Sequence, residues 1–432
     1  MNRHRIDEYL TLLKSEITPA LGCTEPAAVA LAVAYAAKEL DHPATGARVA
    51  VSQYILKNAM NVGIPGTGMI GLDIAVALGS VSAQPDKQLM VLTGLTDDQK
   101  EYAKQLVANK AVIIALAQTK EKVYVEAEVT DGKNTAKAII SGTHTHLVWL
   151  QKNGVTLFES DTQSANVQQN TREPEAPYTV SLKEIFEFVS EVPTDEIGFM
   201  ADVIELNRSI AKEGLTNDYG LKVGKSILNN DKTGLISGDI GNYAVALTAA
   251  AADARMAGCD KPVMSAAGSG NQGLTATLPV AAISWKLGMP DAKTYRALAL
   301  SILVTIHTKH NIGRLSVLCG CSIAAAIGTC CGVIFLFDGT LENIYAGINS
   351  MVADISGVVC DGAKPGCALK IATAVNSAIR SASMALNGVG AGSNDGIVNM
   401  DAEKTLGNLG KLGNEGMGGT NAAILEMMLC KQ

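Results

Sequence analysis

The feature that most constrains the fold is a stretch of 23 residues without a charge, from Leu315 to Phe337. A helix of this length could span a lipid bilayer. The stretch, however, contains four cysteines, three glycines and three hydroxyl residues. Neither a second comparable stretch nor an aromatic belt accompanies it. We therefore expect one helix that is apolar on all sides and buried in a large core, and no membrane partner.

The hydrophobic pattern divides the chain into three parts. Residues 1–160 mix helical stripes with segments of period two, residues 161–178 are polar and typical of a linker, and residues 179–432 have a helical pattern. The prediction is an α+β protein. A mixed N-terminal α/β domain with an antiparallel sheet precedes a large all-helical C-terminal domain.

The antiparallel sheet is predicted from two hairpin patterns. Val123 to Val129 alternates, a turn follows at Asp131-Gly132, and Thr135 to Ile140 returns, while Asn153-Gly154 marks a second turn. In the C-terminal part we expect no strand, and we expect Asn387 to Gly419, rich in Gly and Asn, to form a loop.

The net charge and the cysteine content indicate which binding partners and which cellular compartment to expect. The net charge is −7 and no basic block is present, which argues against nucleic acid and anionic membranes. The nine cysteines are an odd number, and the charged N-terminus does not resemble an export segment. We expect a cytoplasmic protein with free or metal-bound thiols. Its helices, rich in Ala and Gly, could bury a homodimer interface or only each other.

The motif Cys360-Asp-Gly-Ala-Lys-Pro-Gly-Cys367 places two cysteines on a tight loop. Its glycines allow sharp folding and Pro365 stiffens it, so two thiols could face one point. Cys319-Gly-Cys321 supplies further thiols. Thiolates are the ligands of iron–sulfur clusters, and zinc is the rival metal, although the paired C-x-x-C spacing common in zinc sites is absent.

Cys23 lies where a helix is predicted to begin. In Leu21-Gly-Cys-Thr-Glu-Pro26, the proline fits the first helical turn, and Cys23 or Thr24 occupies the cap. The positive end of the helix dipole favours a thiolate, so we expect a lowered pKa and a reactive thiol at Cys23. The alternative is a small buried hydrophobic residue.

Two further segments could bind a small anionic group. Ser265 to Gly273 is a glycine-rich loop before a helix, with Ser269, Asn271 and Gln272 as polar side chains, and such a loop binds carboxylate or phosphate. Lys309 and Arg314 precede the uncharged stretch and could pair with a substrate carboxylate, or could belong to a solvated helix end.

Histidines form a weaker signal. His144 and His146 alternate at the end of a predicted strand. They could be ligands, but ordinary surface histidines are the commoner case.

Taken together, the motifs resemble the L-cysteine desulfidase family, a relative of the iron–sulfur L-serine dehydratase alpha chain. The resemblance covers nearly the whole chain, and it rests on these motifs: Gly22-Cys-Thr-Glu-Pro26, Gly268-Ser-Gly-Asn-Gln-Gly273, Lys309 with Gly313-Arg-Leu-Ser316, Cys319-Gly-Cys321 and Cys360-Asp-Gly-Ala-Lys364.

The resemblance implies a 4Fe-4S cluster held by Cys360, Cys367 and either Cys319 or Cys321, with Cys319 preferred. One iron would stay open for substrate. The implied reaction is β-elimination of L-cysteine to hydrogen sulfide, ammonia and pyruvate, with Cys23 removing the α-proton. The loop carrying Ser269, Asn271 and Gln272, together with Lys309 and Arg314, would hold the carboxylate and amine of this amino-acid substrate.

Other assignments stay open at this point. By resemblance, Cys430 near the C-terminus could serve as a resting-state cluster ligand, although a terminal residue is usually frayed. An iron–sulfur L-serine dehydratase would use the same mechanism. A non-enzymatic metal or amino-acid sensor is the alternative from another class.

Overall fold

The computed structural model describes residues 1–160, 179–229, 233–313 and 316–430. The predicted linker, 161–178, and Arg314 lie outside the described residues. The helices are α1 Arg3–Glu16, α2 Thr24–Lys38, α3 Gln53–Ala59, α4 Leu72–Ser82, α5 Asp97–Ala108, α6 Leu182–Glu191, α7 Met200–Thr216, α8 Val223–Leu228, α9 Ile240–Met256, α10 Gly270–Leu287, α11 Asp291–Ile312, α12 Ala324–Leu336, α13 Leu341–Ile355, α14 Cys367–Leu386, α15 Ala402–Lys411 and α16 Thr420–Leu429. The strands are β1 Pro19–Ala20, β2 Gly46–Val51, β3 Val112–Leu116, β4 Tyr124–Thr130, β5 Thr135–Ser141, β6 Leu147–Lys152, β7 Val155–Glu159 and β8 Val263–Met264.

The N-terminal part contains a six-stranded sheet in the order β3-β2-β4-β5-β6-β7. Strands β2 and β3 pair in parallel and the other neighbours are antiparallel, so the predicted antiparallel sheet has one parallel edge. Alternate residues of β2, β4 and β5 are fully buried, and Val49 pairs with Ala127. They form a core with α2, which can lie close because its buried face is mostly alanine.

The second part is helical around a core that includes α9 to α15. Helix α12 is buried on all sides, as the uncharged sequence predicts. Glycines allow the close packing: a Cβ at Gly328 would overlap the carbonyl oxygen of Ser301 in α11. The α+β class is therefore confirmed. No helix within the described ranges is long and apolar enough to cross a membrane.

The predicted helix over 315–337 is wrong in its first half, because α12 begins only at Ala324. The backbone before it pairs with a distant segment. The Cys319 N–H donates to Val358 O at 2.9 Å, and the Cys360 N–H donates to Val317 O at 2.7 Å. These groups cannot also form helical hydrogen bonds, so the segment stays extended and brings the two cysteine motifs together.

Two other expectations for the C-terminal part are also wrong. Residues predicted as loop contain helix α15, whose first turn is capped by the Asp401 side chain accepting from the Glu403 N–H. The short strand β8 pairs with β1 near the N-terminus, an element too short to leave a period-two pattern. The final helix α16 returns to α3, and Leu425 joins the N-terminal core.

Candidate active site

A cavity of about 330 Å³ lies where the N-terminal part meets the helical part. Its walls come from the start of α2, from α3, from the turn between β5 and β6, from the start of α10 and from the two cysteine segments. Of the nine site residues predicted from sequence, the cavity brings together all except Arg314, which lies outside the described residues: Cys23, Ser269, Asn271, Gln272, Lys309, Cys319, Cys360 and Cys367.

The cysteine wall places four thiols on two paired segments. Cys319 and Cys321 are buried with their sulfur atoms 3.4 Å apart, while Cys360 and Cys367 begin and end the neighbouring loop. That loop lies against α3. A Cβ at Gly362 would overlap the backbone oxygen of Lys57, and the Lys57 Nζ donates to Cys360 O at 3.0 Å. The fold therefore fixes the thiols without any disulfide among them.

Electrostatics distinguishes Cys319 from the other thiols. Hydrogen bonding with Cys321, and then with Ser322, lowers the pKa of Cys319 to about 6 although burial opposes this. Burial raises the pKa of Cys360, and it raises that of Cys367 to about 11. Neutral thiols are thus favoured at these two positions, and a bound cation would reverse that preference.

This donor set fits an iron–sulfur cluster, whose ligands are cysteine thiolates. Lys370 adds positive charge, donating to Val359 O at 2.8 Å and pairing with Asp361 beside the loop. Within the described ranges, no three Cys, His, Asp or Glu side chains form a group that could hold a single metal ion. Ligation of a cluster by Cys319, Cys360 and Cys367 therefore stays a prediction.

Cys23 caps α2 as predicted, but the expected lowering of its pKa is wrong. Its Sγ–H donates to the Glu25 carboxylate, with 2.9 Å between sulfur and oxygen. Burial and the negative charge of Glu25 raise the pKa of Cys23 well above its ordinary value, outweighing the opposite effect of Arg255. Burial, with the carboxylate two residues away as the second cause, thus overrides the helix dipole.

Glu25 is the functional residue that the sequence analysis missed. Although only 9% exposed, it accepts hydrogen bonds from the Cys23 thiol, the Thr24 hydroxyl and the Asn58 amide. Burial alone would raise the pKa of Glu25, but the charge of His144 and the hydrogen bonds from Cys23 and Thr24 lower it. Its only sequence signal is an acidic residue beside a cysteine at a helix start, which also describes an ordinary capping residue.

The start of α10 forms a second polar wall. Ala267 and Gly268 have φ values of +49° and +78°, and this reversal leads into Ser269, the N-cap, whose side chain makes no capping bond. Asn271 accepts from Arg255 Nη1 at 3.0 Å, while Arg255 Nη2 donates to Gly22 O. Arg255 was also missed from the sequence, because its position within an alanine-rich helix gives no functional signal.

Gly320 lies where the polar side chains at the start of α10 approach the cysteine segment. Its missing side chain leaves room for Gln272 and for the Lys309 Nζ, which would lie 3.1–3.3 Å from a Cβ there. Lys309 also donates to Gly313 O at 2.7 Å. An amide and an ammonium group therefore approach the backbone between Cys319 and Cys321.

Several buried polar atoms in the described part of the chain have no hydrogen-bond partner, and four of them belong to residues that line this cavity: Asn58 Oδ1, His144 Nε2, Arg255 Nε and Gln272 Oε1. Leaving such an atom unsatisfied costs about 1–3 kcal/mol, so unpaired atoms mark a place where a polar ligand is accommodated. By contrast, Cys430 is exposed beyond α16 and does not line the cavity.

The helical part of the chain thus carries a thiol-lined cavity that the N-terminal α+β part closes on one side, and the family to which the chain belongs suggests a dehydratase-like lyase. The chain belongs to the serine dehydratase alpha chain family, whose sequence model matches residues 86–426. The relationship to this family expected from the motifs is confirmed, and an iron–sulfur-dependent chemistry follows from it at the family level. Cys23 and Glu25 precede the matched residues.

Three similar bacterial proteins carry the name UPF0597 protein. One from Oleidesulfovibrio alaskensis is 44% identical over 424 residues, covering 98% of both chains. One from Clostridium perfringens is 42% identical over 427 residues, and one from Porphyromonas gingivalis is 40% identical over 425, with 98% of both chains covered in each case. These names identify no substrate.

Proposed function

We propose that the protein is an L-cysteine desulfidase, a carbon–sulfur lyase that converts L-cysteine to hydrogen sulfide, ammonia and pyruvate. The observation that carries the proposal is the Cys23–Glu25 hydrogen bond, which faces the same cavity as the thiols of Cys319, Cys360 and Cys367. An acid–base pair beside a cluster site is what a β-elimination needs.

In this proposal, Cys319, Cys360 and Cys367 would hold a 4Fe-4S cluster. The cluster, when bound, supplies a Lewis acid that makes sulfide a better leaving group. The remaining chemistry belongs to the side chains of the cavity.

Cys23 removes the α-proton of the substrate, and Glu25 accepts the thiol proton of Cys23 as it does so. Two nearby positive charges favour this transfer. Arg255 already lowers the pKa of Cys23, and the ammonium group of a bound amino acid would add to its effect. The resting pair keeps the proton on sulfur and the charge on Glu25, which prevents a free thiolate from reacting in the empty cavity.

The carboxylate of the substrate binds at the start of α10. There the free N–H groups of the first turn and the Asn271 and Gln272 side chains can accept it, and Lys309 supplies the opposite charge. Gln272 Oε1 has no partner and can accept a hydrogen bond from the amino group. These contacts orient the α-proton toward Cys23.

The test is to purify the protein under anaerobic conditions, measure its iron and acid-labile sulfide, and compare turnover of L-cysteine with that of L-serine. We expect a coloured iron–sulfur protein that releases hydrogen sulfide and pyruvate from L-cysteine. Preferential deamination of L-serine would instead support the serine dehydratase suggested by the family description. A protein that binds zinc or an amino acid and turns over neither substrate would favour the sensor.

A further inference from the structure

The turn between β5 and β6 reaches into the cavity from the N-terminal sheet. Gly142, Thr143 and His144 all line the cavity. The turn is fixed at its base, because the Ser141 N–H donates to His146 O at 3.1 Å and the Gly142 N–H donates to Val123 O at 3.0 Å. The position of His144 is therefore set by the sheet and not by the helical domain.

His144 connects the cavity interior to the protein surface. Its Nε2 is buried and has no hydrogen-bond partner, whereas Gly142 and Thr143 beside it are exposed. Glu25 lines the same cavity as His144, and the charge of the imidazole lowers the pKa of that carboxyl group. His144 thus has a buried nitrogen in a residue that lines the cavity, and it belongs to a turn whose two preceding residues are exposed.

The acid–base pair has to lose a proton after each reaction. The α-proton that Cys23 and Glu25 accept must reach water before a second substrate can react. Glu25 is largely buried, and its other two partners are the Thr24 hydroxyl and the Asn58 amide, neither of which changes its protonation state near neutral pH. Histidine is the side chain that gains and loses a proton in this range.

We propose that His144 is a proton shuttle between the Cys23–Glu25 pair and solvent, an inference that rests on the proposed function. After elimination, the proton on Glu25 passes to the Nε2 lone pair of neutral His144. Glu25 becomes a carboxylate and His144 becomes an imidazolium. The ring then releases a proton to water at the exposed turn. The sulfur leaves as HS⁻ with the electron pair of the broken Cβ–S bond, the α-proton leaves through His144, and hydrogen sulfide forms from the two in solution.

The kinetic test uses cluster-loaded His144→Ala and His144→Gln proteins. His146→Gln is the matched control, since His146 lies at the base of the same turn, bonds to Ser141 O through Nδ1 and does not line the cavity. We expect kcat for L-cysteine to fall by about tenfold or more in both His144 variants, with KM unchanged. Added imidazole should restore kcat in His144→Ala, while the wild type and His146→Gln should respond little.

Three outcomes would overturn the shuttle: an unchanged kcat, a raised KM with normal kcat, which indicates a substrate contact, or a loss of kcat that imidazole does not rescue. These outcomes are distinguishable from failure of the proposed function, which would be seen as absence of turnover in the wild type. Iron content is measured in every variant, so that loss of the cluster is recognised separately.

A second measurement needs neither the cluster nor turnover. Nitrogen-15 labelling of the six histidines of the iron-free protein lets NMR observe each imidazole separately at a fixed pH. We expect Glu25→Gln to change the chemical shifts of the His144 ring nitrogens, because a charged carboxylate that lines the same cavity has been removed, and to leave the His146 ring unchanged, since His146 does not line the cavity. Unchanged His144 ring signals would show that the two groups are not coupled and would refute the shuttle.

Discussion

At the residue scale, the site is governed by the pairing of Cys23 with Glu25. A helix N-terminus by itself favours a thiolate, but burial of Cys23 and, after it, the carboxylate at hydrogen-bond distance have larger effects and keep the thiol protonated. The charge of the pair therefore lies on Glu25, and the two side chains have to be considered as one acid–base unit.

We predict that Glu25→Gln lowers kcat by about 10²–10⁴, since the amide cannot take the thiol proton. Thr24→Ala is the matched control, because Thr24 donates to the same carboxylate but needs no proton transfer. Its kcat should stay within about tenfold of the wild type. Steady-state sulfide release measures both. Full activity in Glu25→Gln would show that Cys23 acts without it.

A second prediction at this scale separates Cys319 from Cys321. The two thiols are adjacent, but Cys319 has the pKa of about 6 and its backbone pairs directly with the other cysteine segment. We expect Cys319→Ala, like Cys360→Ala and Cys367→Ala, to lose iron, whereas Cys321→Ala retains it. Iron and acid-labile sulfide per chain are the measurements. Loss of iron in Cys321→Ala alone would reverse the assignment.

At the element scale, the cysteine site depends on a bridge between two irregular segments. The residues before α12 give up helical hydrogen bonds to pair with the segment before α14. This pairing places Leu318 opposite Val359, so that Cys319 and Cys360 lie on neighbouring segments. The loop that follows lies directly on α3, where only a glycine fits at position 362, with a φ of +91°. The cluster site is thus positioned by backbone packing.

We therefore predict that Gly362→Ala destabilises the loop. Its positive φ alone costs about 1–3 kcal/mol, and the new Cβ would collide with the Lys57 carbonyl. We expect a lower unfolding free energy and reduced iron content. Gly366→Ala, four residues on, is the control: its φ is −61° and a Cβ there makes only ordinary contacts. Denaturant unfolding compares the two, and equal stability would contradict the packing argument.

At the scale of the whole molecule, contacts between residues far apart in sequence hold the helical part together. Glu403 at the start of α15 accepts from His307 Nε2 of α11 at 2.6 Å and from the Leu182 N–H of α6 at 2.7 Å. One carboxylate therefore connects three helices. Burial alone would raise the pKa of Glu403, but these partners lower it below 4.5.

The sign of this pKa shift gives a pH-dependence prediction. Since the pKa of Glu403 is lower in the folded protein, its contribution to stability is complete above its ordinary value of 4.5 and is lost as the pH falls through the folded value. Glu403→Gln should thus be less stable than the wild type near pH 7, and the difference should shrink in acid. Thermal unfolding between pH 3 and pH 7 tests this, with Glu121→Gln at an exposed position as the control. A constant difference would refute it.

Sequence by itself determined much of this protein. Repeating patterns are local, so the alternation of Val123 to Val129 fixed a strand and the uncharged residues 324–336 fixed a buried helix. The glycine-bounded cysteine and Asn-Gln motifs indicated which residues would line the site. Eight of the nine predicted site residues share one cavity, although their catalytic and ligand roles stay predictions.

Only the tertiary structure decided the electrostatics of the site and the wall that the turn between β5 and β6 contributes to the cavity. The pKa of Cys23 depends on burial and on Arg255, more than 200 positions away in the chain. The pKa of Glu25 depends on burial and on the charge of His144, which follows a strand of the sheet. Likewise, the extended backbone at Cys319 exists because a distant segment accepts its hydrogen bonds. Such effects act through space over a few ångströms, and a one-dimensional pattern contains no information on which distant residues will meet.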